Sequence, residues 1–343
     1  MTGWRPITPT PEAWDAFVEA HRGHILQTDA WGHLKSAFGW EAERVALADS
    51  EGALACGALV LHRAFPPMAY IPRGPIVNWA DGAQVRALLA ELEHRARKRR
   101  AILLKLEPDI SDIPDHRSAL AACGLRPSPH LIQPPRTILL NITGEEETIL
   151  GRMNQGTRRK IRLSERREVT LRRGGPDDLD SFSTLMAATG ERNVFGIHAP
   201  AYYRAAYTLF APQGRAALLM ASHDGRDLAG LMVFAFGNRA WYFYGASSGE
   251  ESHRMPAYGL QWEAIRWARE CGCVVYDLWG IPDEDPAALE AQFQARSDGL
   301  WGVYGFKRGF GGEIWRSVGA WDMVYRPMMY QLYCLAVGFR HGT

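Results

Sequence analysis

Two stretches of the sequence resemble each other: GALACGALV at residues 52–60 and GRDLAGLMV at residues 225–233. Their glycines recur at the same offset, 173 residues. Around each stretch the hydrophobic patterning predicts the same series: two helices, three strands, a helix, a strand, a helix and a last strand. Because the whole order repeats at one offset, we interpret the chain as two copies of one mixed α/β unit.

The predicted order, ααβββαβαβ, closes each copy with its own last strand, near 136–142 in the first copy and 313–325 in the second. GCN5-related N-acetyltransferases (the GNAT fold) use this order, which is an analogy at the level of the fold. The length of 343 residues agrees with two domains, at roughly 100–200 residues for each.

Composition excludes several classes of protein. The chain has 39 Lys and Arg against 38 Asp and Glu, so its net charge of +1 excludes a globally basic protein that coats nucleic acid. Hydrophobic residues make up 47%, which is typical of a folded globular protein. No apolar run reaches the ~18 residues of a membrane span, and the N-terminus does not resemble a secretory signal. We therefore expect a cytoplasmic protein.

The five cysteines favour a reducing compartment, because their number is odd and most lie in apolar runs. Cys271 and Cys273 form C-x-C without a second pair at the spacing of zinc ligands. We interpret both as buried small hydrophobic residues, and we expect no metal site.

A basic run lies at residues 152–173, within a nearly neutral protein. Only Glu165 and Glu168 oppose its cations, so its net charge is +7. One interpretation is a solvated helix face; the other is contact with a polyanion such as RNA, whose phosphates bind Arg and Lys independently of sequence. The cations of the run are Arg152, Arg158, Arg159, Lys160, Arg162, Arg166, Arg167, Arg172 and Arg173.

The segment GVYGFKRGFGG at residues 302–312 places aromatic and cationic side chains among glycines. Glycine lets the backbone approach a ligand closely, and Lys307 brings a positive charge to the place of an oxyanion or a phosphate. The alternative is a glycine-rich turn with aromatic residues in the core.

Strand ends and helix starts supply further candidates. Glu107 and Asp109 follow one strand and Asp277 ends the corresponding strand; such carboxylates position or deprotonate an amine, or they cap helices. Tyr258 lies where a helix N-terminus would hold an anion. Lys35, on the second helix, is a candidate phosphate contact or a solvated lysine. Neither copy has the glycine pattern that holds the pyrophosphate of coenzyme A, which argues against an acyl-CoA donor.

Eight pieces together resemble the Fem family of peptidoglycan-bridge aminoacyltransferases, in order and over nearly the whole chain. They are HILQTDAWGHLK (24–35), YIPRGP (70–75), TRRKIR (157–162), YGAS (244–247), MPAY (255–258), QWE (261–263), YD (276–277) and GFKRGFGG (305–312).

The resemblance implies an α/β fold of two tandem GNAT-like domains. It implies a first domain of residues 1–145 plus about 319–343, which would bind the precursor, and a second of 146–318 on the aminoacyl-tRNA side. This chain lacks the long heptad run of members with a helical hairpin, so it resembles the compact FemX-like type, without a coiled-coil arm. The last segment, 328–339, is predicted as a packed terminal helix, with contact at the inner face of the membrane as the alternative.

The resemblance also implies the reaction. An amino acid moves from aminoacyl-tRNA to the side-chain amine of the stem peptide of a peptidoglycan precursor, UDP-MurNAc-pentapeptide or lipid II. The aminoacyl ester is already activated, so no coenzyme A, other cofactor or metal is expected, and we expect a monomer.

The roles that the resemblance implies fall on three groups of residues. Catalysis is assigned to Lys307, Phe306 and Asp109, with Lys307 stabilising charge on the ester carbonyl and on the departing tRNA end. Binding of the precursor is assigned to Lys35, Tyr258, Arg204, Tyr207 and Arg73. Binding of tRNA is assigned to Arg158, Arg159, Lys160, Arg162, Arg166 and Arg167.

Two other functions stay open on the sequence alone. One is a GNAT-type N-acyltransferase that uses another activated acyl donor. The other is a non-catalytic protein that binds RNA or associates with the envelope. The amino acid that is moved and the choice between a soluble and a lipid-linked acceptor are not predicted.

Overall fold

Two sheets organise the chain, each in its own structural unit. The structure is a computed structural model that describes residues 3–193 and 196–341. Unit 1 comprises Met1–Pro135 and Arg316–Thr343, and unit 2 comprises Arg136–Trp315. The sequence analysis places the corresponding boundaries at 145/146 and 318/319.

Unit 1 has a seven-stranded sheet among the described residues, in the order β1-β2-β3-β4-β5-β14-β6. Neighbouring strands are antiparallel except β4 and β5, which are parallel. Its strands are β1 (Arg5–Ile7), β2 (Glu41–Ala48), β3 (Leu54–Arg63), β4 (Met68–Pro72), β5 (Leu103–Glu107), β6 (Arg126–Pro127) and β14 (Trp321–Val324). Its helices are α1 (Pro11–Ala20), α2 (Asp29–Ser36), α3 (Gly82–Lys98), α4 (Pro114–Ala122) and α12 (Pro327–His341).

Unit 2 repeats this arrangement in its described residues, in the order β8-β9-β10-β11-β12-β7-β13. Strands β11 and β12 pair in parallel, as β4 and β5 do in unit 1. Its strands are β7 (Arg136–Asn141), β8 (Thr170–Gly174), β9 (Ala216–His223), β10 (Arg226–Phe236), β11 (Arg239–Ser247), β12 (Val275–Asp277) and β13 (Glu313–Arg316). Its helices are α5 (Glu146–Arg152), α6 (Gln155–Arg166), α7 (Leu179–Asn193), α8 (Pro200–Phe210), α9 (Pro256–Glu270), α10 (Pro286–Gln292) and α11 (Trp301–Lys307).

The repeat alone assigns the strand at 136–142 to the first copy and the strand at 313–325 to the second, and the structure corrects both assignments. The resemblance, in contrast, implies that residues 319–343 belong to the first domain. β7 follows unit 1 in the chain but pairs with β12 of unit 2. The segment predicted as one strand at 313–325 forms β13 in unit 2 and β14, which pairs with β5 of unit 1. Because β7 and β14 occupy equivalent positions next to β12 and β5, the two copies have exchanged a strand.

The sheet of unit 2 is buried on both faces, because side chains alternate along each strand. Leu219 and Leu231 pack in one core cluster with Ile265 of α9. On the other face Phe234 contacts Phe210 of α8, with ring centroids 5.3 Å apart. Helices α9 and α8 therefore cover opposite faces of this sheet.

The parallel strands of unit 2 separate along their length. Pairing of β11 with β12 ends at Trp241 and Asp277, although β11 continues to Ser247. Beyond this point β11 no longer pairs with β12, and at its end the backbone of Ser247 bonds to Thr189 of α7. Chemistry-bearing side chains gather at this opening, as described below.

Two further expectations concern helices and cysteines. Within the described ranges the longest helix is α3 with 17 residues, which confirms a fold without a long helical arm; in the same ranges no helix is long and apolar enough to cross a bilayer. Cys273 is buried as predicted, but Cys271 is exposed, because it caps the C-terminus of α9 at the surface.

Candidate functional site

The segment that carries Lys307 is fixed by close packing against α6. Helix α11 ends at Lys307 and continues as a 3₁₀ turn over Arg308–Phe310. A Cβ atom on Gly309 would lie 2.2 Å from Oγ1 of Thr157, so only glycine fits there. The backbone N–H of Asn154 donates to the carbonyl of Gly309 over 3.0 Å. At Gly309, therefore, the close backbone approach predicted for a ligand is made to the protein's own helix.

Lys307 is a buried ammonium at the opening between β11 and β12. Its side chain is 6% exposed, and its Nζ donates to the carbonyls of Gly280 over 2.7 Å and Trp279 over 3.3 Å. Nζ also lies 5.6 Å from the ring centroid of Tyr242. Burial lowers the pKa of Lys307 to about 7, and the negative charge of Asp277 opposes this change.

Asp277 organises the turn that presents these carbonyls. It is 1% exposed and accepts hydrogen bonds from the hydroxyl of Thr137 and the guanidinium of Arg239. The backbone N–H of Trp279 donates to its Oδ1 over 2.8 Å. Trp279 has a positive φ of 60°, and this backbone bond holds the residue in that conformation. Asp277 thus shapes the surroundings of Lys307 through the backbone and through its charge.

An aromatic cluster lies beside Lys307. The ring of Phe306 packs edge-on against Tyr258 at 4.8 Å and Phe310 at 5.1 Å between centroids. Nζ of Lys160 donates to the hydroxyl of Tyr258 over 3.0 Å and lies 4.7 Å from the centroid of its ring. The structure thus brings together three residues with different predicted roles: Phe306 in catalysis, Tyr258 in binding the precursor and Lys160 in binding tRNA.

This arrangement suits acyl transfer. A buried cation stabilises a developing oxyanion more strongly than an exposed one, because less water screens it. A pKa near neutrality means that Lys307 is present both with and without its proton at physiological pH, as proton transfer requires. In the described parts of the chain, no group of His, Cys, Asp or Glu side chains could hold a metal ion.

Helix α6 divides the basic run into two kinds of cation. Thr157, Ile161 and Ser164 form its buried face. The exposed cations form the arginine stripe, which consists of Arg159, Arg162 and Arg166. Its members recur at i, i+3 and i+7, so they share one helix face.

The other cations of the run contact the protein itself. Arg158 donates to the carbonyl of Met153 over 2.5 Å, and Arg167 donates to the carbonyl of His253. Arg172 pairs with Asp178, and Arg173 with Glu270. The arginine stripe is therefore the part of the run best placed for a polyanion.

Unit 1 has its own polar group at the corresponding strand ends. Arg73 is 3% exposed, donates to the carbonyl of Pro134 over 2.7 Å, and has its Nη1 3.7 Å from Oδ1 of Asp109. Arg73 and Asp109 line a cavity of about 300 Å³ together with His24 and Trp79. The structure thus brings together two residues that the sequence assigns to the precursor and to catalysis.

Glu107 lies beside this pair, at the end of β5. It is 2% exposed and accepts hydrogen bonds from the hydroxyl of Tyr70 over 2.5 Å and the backbone N–H of Ile132 over 2.6 Å. Burial raises its pKa, and these hydrogen bonds oppose the rise. Since protein groups occupy its oxygens, Glu107 serves the packing of unit 1, and Asp109 is the half-buried carboxylate at the cavity.

Three predicted site residues lie elsewhere. Lys35, in unit 1, has its Nζ 5.0 Å from the ring centroid of Trp31 and does not line the cavity of Arg73. Arg204 forms an exposed ion pair with Asp180, 2.6 Å long. The hydroxyl of Tyr207 donates to the carbonyl of Gly174 over 3.4 Å. Arg204 and Tyr207 belong to α8, which covers the face of the sheet opposite α9.

Sequence reasoning missed two features of the Lys307 site. The hydrogen bond from Lys160 to Tyr258 joins residues 98 positions apart, and neither residue signals the other. The network of Asp277 with Arg239 and Thr137 is equally non-local. Its signal is the Tyr-Asp pair at a strand end, which indicates a functional carboxylate but not its partners.

Comparisons with known proteins find similarity along nearly the whole chain. The sequence model of the FemAB family matches residues 10–116, 124–227 and 219–337. A lipid II:glycine glycyltransferase of Staphylococcus haemolyticus is 26% identical over 94% of this chain and 93% of its own length. A crystal structure of FemX superposes with a TM-score of 0.86, at 24% identity, covering 96% of this chain and 99% of that one.

A tandem GNAT protein from the clavulanic acid biosynthesis pathway superposes with a TM-score of 0.56, at 15% identity, covering 94% of this chain and 98% of that one. At these identities the two structural likenesses speak for the fold alone. They confirm the predicted fold of two GNAT-like domains.

Proposed function

Because this chain belongs to the FemAB family and is an aminoacyltransferase, we propose that it builds the interpeptide bridge of peptidoglycan. It transfers an amino acid from aminoacyl-tRNA to the side-chain amine of the stem peptide in a precursor, UDP-MurNAc-pentapeptide or lipid II. The relative from Staphylococcus haemolyticus is a glycyltransferase that acts on lipid II, so lipid II and glycyl-tRNA are the first substrates to test.

The observation that carries the proposal is the buried ammonium of Lys307. The amine nitrogen of the acceptor attacks the ester carbonyl, a C–N bond forms, and the C–O bond to the terminal ribose of tRNA breaks. The protonated form of Lys307 stabilises the oxyanion and gives a proton to the departing ribose oxygen. With its pKa lowered to about 7, Lys307 is a better proton donor than an ordinary lysine.

The donor side of the reaction lies on unit 2. The arginine stripe contacts tRNA phosphates, and Lys160 and Tyr258 contact the end of the tRNA or the phosphates of the precursor. Arg158 and Arg167 hold α6 to neighbouring backbone through the hydrogen bonds described above. They support tRNA binding by positioning the stripe.

The acceptor side lies on unit 1. Asp109 takes the proton of the acceptor ammonium or positions it, and Arg73 orients Asp109 from 3.7 Å. Lys35 contributes a cation for the phosphates of the precursor. Arg204 and Tyr207, on α8 of unit 2, are proposed to bind the precursor only because the resemblance assigns them this role. An aminoacyl ester reacts with an amine without metal, ATP or coenzyme A, so the proposed reaction needs no cofactor. Because aminoacyl-tRNA is cytoplasmic, we place the enzyme in the cytoplasm. We propose that it acts as a monomer.

The experiment that tests the proposal is a transfer assay with the purified full chain. A pool of radiolabelled aminoacyl-tRNAs is incubated with lipid II in one arm and UDP-MurNAc-pentapeptide in the other. We expect label on the stem peptide in at least one arm, and the label identifies the amino acid. RNase pre-treatment abolishes the product.

Lys307→Met is the diagnostic variant, because methionine fills a similar volume without the charge. We expect a loss of transfer of about 100-fold or more, as for other groups that stabilise an oxyanion. Lys98→Met is the matched control in the arm with the water-soluble acceptor, because Lys98 is exposed at the end of α3. Transfer that survives Lys307→Met, or transfer from acyl-CoA with no effect of RNase, would contradict the proposal.

A further inference from the structure

We propose that one edge of unit 1 docks on the surface of an anionic lipid bilayer, with the exposed face of α12 and the β3–β4 turn as its apolar contacts. The inference goes beyond the proposed function, because it concerns a surface that takes no part in the transfer. It rests on exposed apolar side chains, on their placement at one end of the inner strands of the sheet and on the cations around them.

The apolar contacts come from two elements. On α12, Met328 is 81% exposed and Leu332 and Leu335 are each 60% exposed. These positions are spaced i, i+4 and i+7, so they form one stripe along the helix. Phe65, in the turn after β3, is 86% exposed. A soluble protein rarely leaves such a set in water unless the surface binds something.

The opposite face of α12 is fixed to unit 1. Tyr330 is 6% exposed, and its hydroxyl donates to the carboxylate of Asp322 over 2.8 Å. His130 contacts the ring of Tyr333 and the carbonyl of Cys334. The helix is therefore anchored by one face and presents the apolar stripe with the other, as an interfacial helix does.

The backbone around Ile102 brings the two apolar elements to the same end of the strands of unit 1, which is the edge of the unit proposed to dock. The N–H of Ile102 donates to the carbonyl of Pro67 over 2.8 Å, just after the turn that holds Phe65. The carbonyl of Ile102 accepts from the N–H groups of Tyr325 over 2.9 Å and Arg326 over 3.2 Å, just before α12. The turn, the segment that follows α3 and the start of α12 are thus neighbours.

Exposed cations cluster at this edge. They are Arg63, Lys98, Arg100 and Arg326. Arg63 also lies near α12. Burial raises the pKa of Tyr333, on that helix, to about 12, and the positive charge of Arg63 partly offsets this rise. The acidic groups nearby, Glu41 and Glu93, pair with other arginines of α3 and its end.

This charge pattern favours a bilayer over a second copy of the chain. A symmetric dimer places the same patch on both partners, which would bring these cations toward each other. Anionic lipid headgroups attract them instead, while the apolar side chains enter the boundary between headgroups and acyl chains. The surface then combines two signals, neither of which is sufficient alone.

Vesicle flotation of the full chain, without any substrate, tests the inference. One vesicle set is phosphatidylcholine with about a third phosphatidylglycerol, and the other is phosphatidylcholine alone. We expect the protein to float with the anionic set and to remain behind with the neutral set. High salt weakens the binding, because it screens the cations.

Two variants separate the apolar and the charged contributions. The M328Q/L332Q/L335Q variant is expected to lose binding at least about tenfold. Glutamine lacks the apolar surface whose transfer from water into the bilayer stabilises the bound state. The R63Q/R326Q variant is expected to lose about 25-fold, at ~1 kcal/mol for each cation near an anionic surface. Phe65→Ser tests the second apolar element without altering α12.

Leu300→Gln is the matched control, because Leu300 is an exposed leucine of unit 2, 43% exposed. Equal flotation with both vesicle sets, no flotation at all, or unchanged flotation of the variants would overturn the inference. So would light scattering that shows a dimer of the wild type and a monomer of the triple variant.

Transfer to the water-soluble UDP-linked acceptor is measured in parallel, and it is expected to be unchanged in the triple variant. Flotation without transfer to either acceptor refutes the proposed function alone. Transfer without flotation refutes the docking surface alone.

Discussion

The burial of Lys307 predicts a stability that depends on pH in a defined way. A pKa lowered from 10.5 to about 7 corresponds to a cost of about 5 kcal/mol for the buried ammonium, at ~1.4 kcal/mol for each tenfold change. Below pH 7 both the folded and the unfolded chain carry the proton, so the cost is fully present. Between pH 7 and 10.5 only the unfolded chain carries it, so stability rises with pH.

Lys307→Met removes the titrating group from both states. We expect the variant to be more stable than the wild type at low pH, and this advantage to shrink by about 3 kcal/mol between about pH 6 and about pH 9. Any packing difference between Lys and Met does not titrate and cancels in this comparison. Urea unfolding of both proteins, followed by circular dichroism at the two pH values, measures the change.

Lys98→Met serves as the control, since an exposed lysine is solvated in both states and its substitution should give the same effect at both pH values. An advantage of Lys307→Met that is constant between the two pH values would refute the reasoning. It would mean that Lys307 keeps its solvation, and the account of its role as a proton donor would fail with it.

Three other predictions concern separate parts of the molecule. Asp322→Ala is expected to cost about 3–5 kcal/mol of unfolding free energy, because it leaves the buried ammonium of Lys105, 2.9 Å away, without its counter-ion. Urea unfolding measures this loss, and the double variant K105M/D322L should recover part of it. Reversing all three charges of the arginine stripe to glutamate is expected to weaken tRNA binding and to lower the slope of log K against log salt by about 2, which filter binding at several salt concentrations checks. Gly309→Ala is expected to destabilise unit 2 by about 1–3 kcal/mol and to reduce transfer, whereas Gly305→Ala, whose Cβ would lie 3.7 Å from Phe293, should be neutral in the same thermal and transfer assays.

Local patterns predicted the individual elements well. The helix predicted from about 256 to 271 is α9, Pro256–Glu270, and the strand predicted at 227–236 is β10, Arg226–Phe236. Helix α9 has a helical hydrophobic period and begins at Pro256, and β10 is a continuous apolar run that ends before Gly237–Asn238. Periodicity reports which residues point to a core, and this information is contained in a short window of sequence.

Local patterns could not predict the exchange of strands, of which the resemblance implied only that residues 319–343 belong to the first domain. The alternation in β7 indicates a strand, but it is compatible with the edge of either sheet. Its partner, β12, begins more than 130 residues further along the chain. Pairing is decided by the fit of whole units, and a repeat in the sequence favours the simpler arrangement in which each copy keeps its own strand.

The sequence predicted which residues form the candidate site, but it did not predict their burial or their contacts. Resemblance pointed to Lys307, Phe306 and Tyr258, and the structure places Phe306 with Tyr258 and Lys160. Lys307, the next residue of α11, lies beside Tyr242 and the carbonyls of Trp279 and Gly280. The burial of Lys307 depends on the turn after β12 and on α6, which are distant in sequence. The same limit hid the pair of Lys105 with Asp322, because each residue alone resembles an ordinary charged side chain in a strand.

The exchanged strands also set the order in which the chain can mature as it leaves the ribosome. Unit 2 has all of its strands once residue 316 has emerged, whereas unit 1 still lacks β14. Until that strand arrives, the edge of β5 is unpaired and Lys105 has no Asp322 beside it. Domains usually fold in the order of their synthesis, but here the N-terminal unit is completed last. A nascent chain stalled after residue 316 would carry a finished unit 2 and, in unit 1, an open sheet edge on which a strand of another chain could pair.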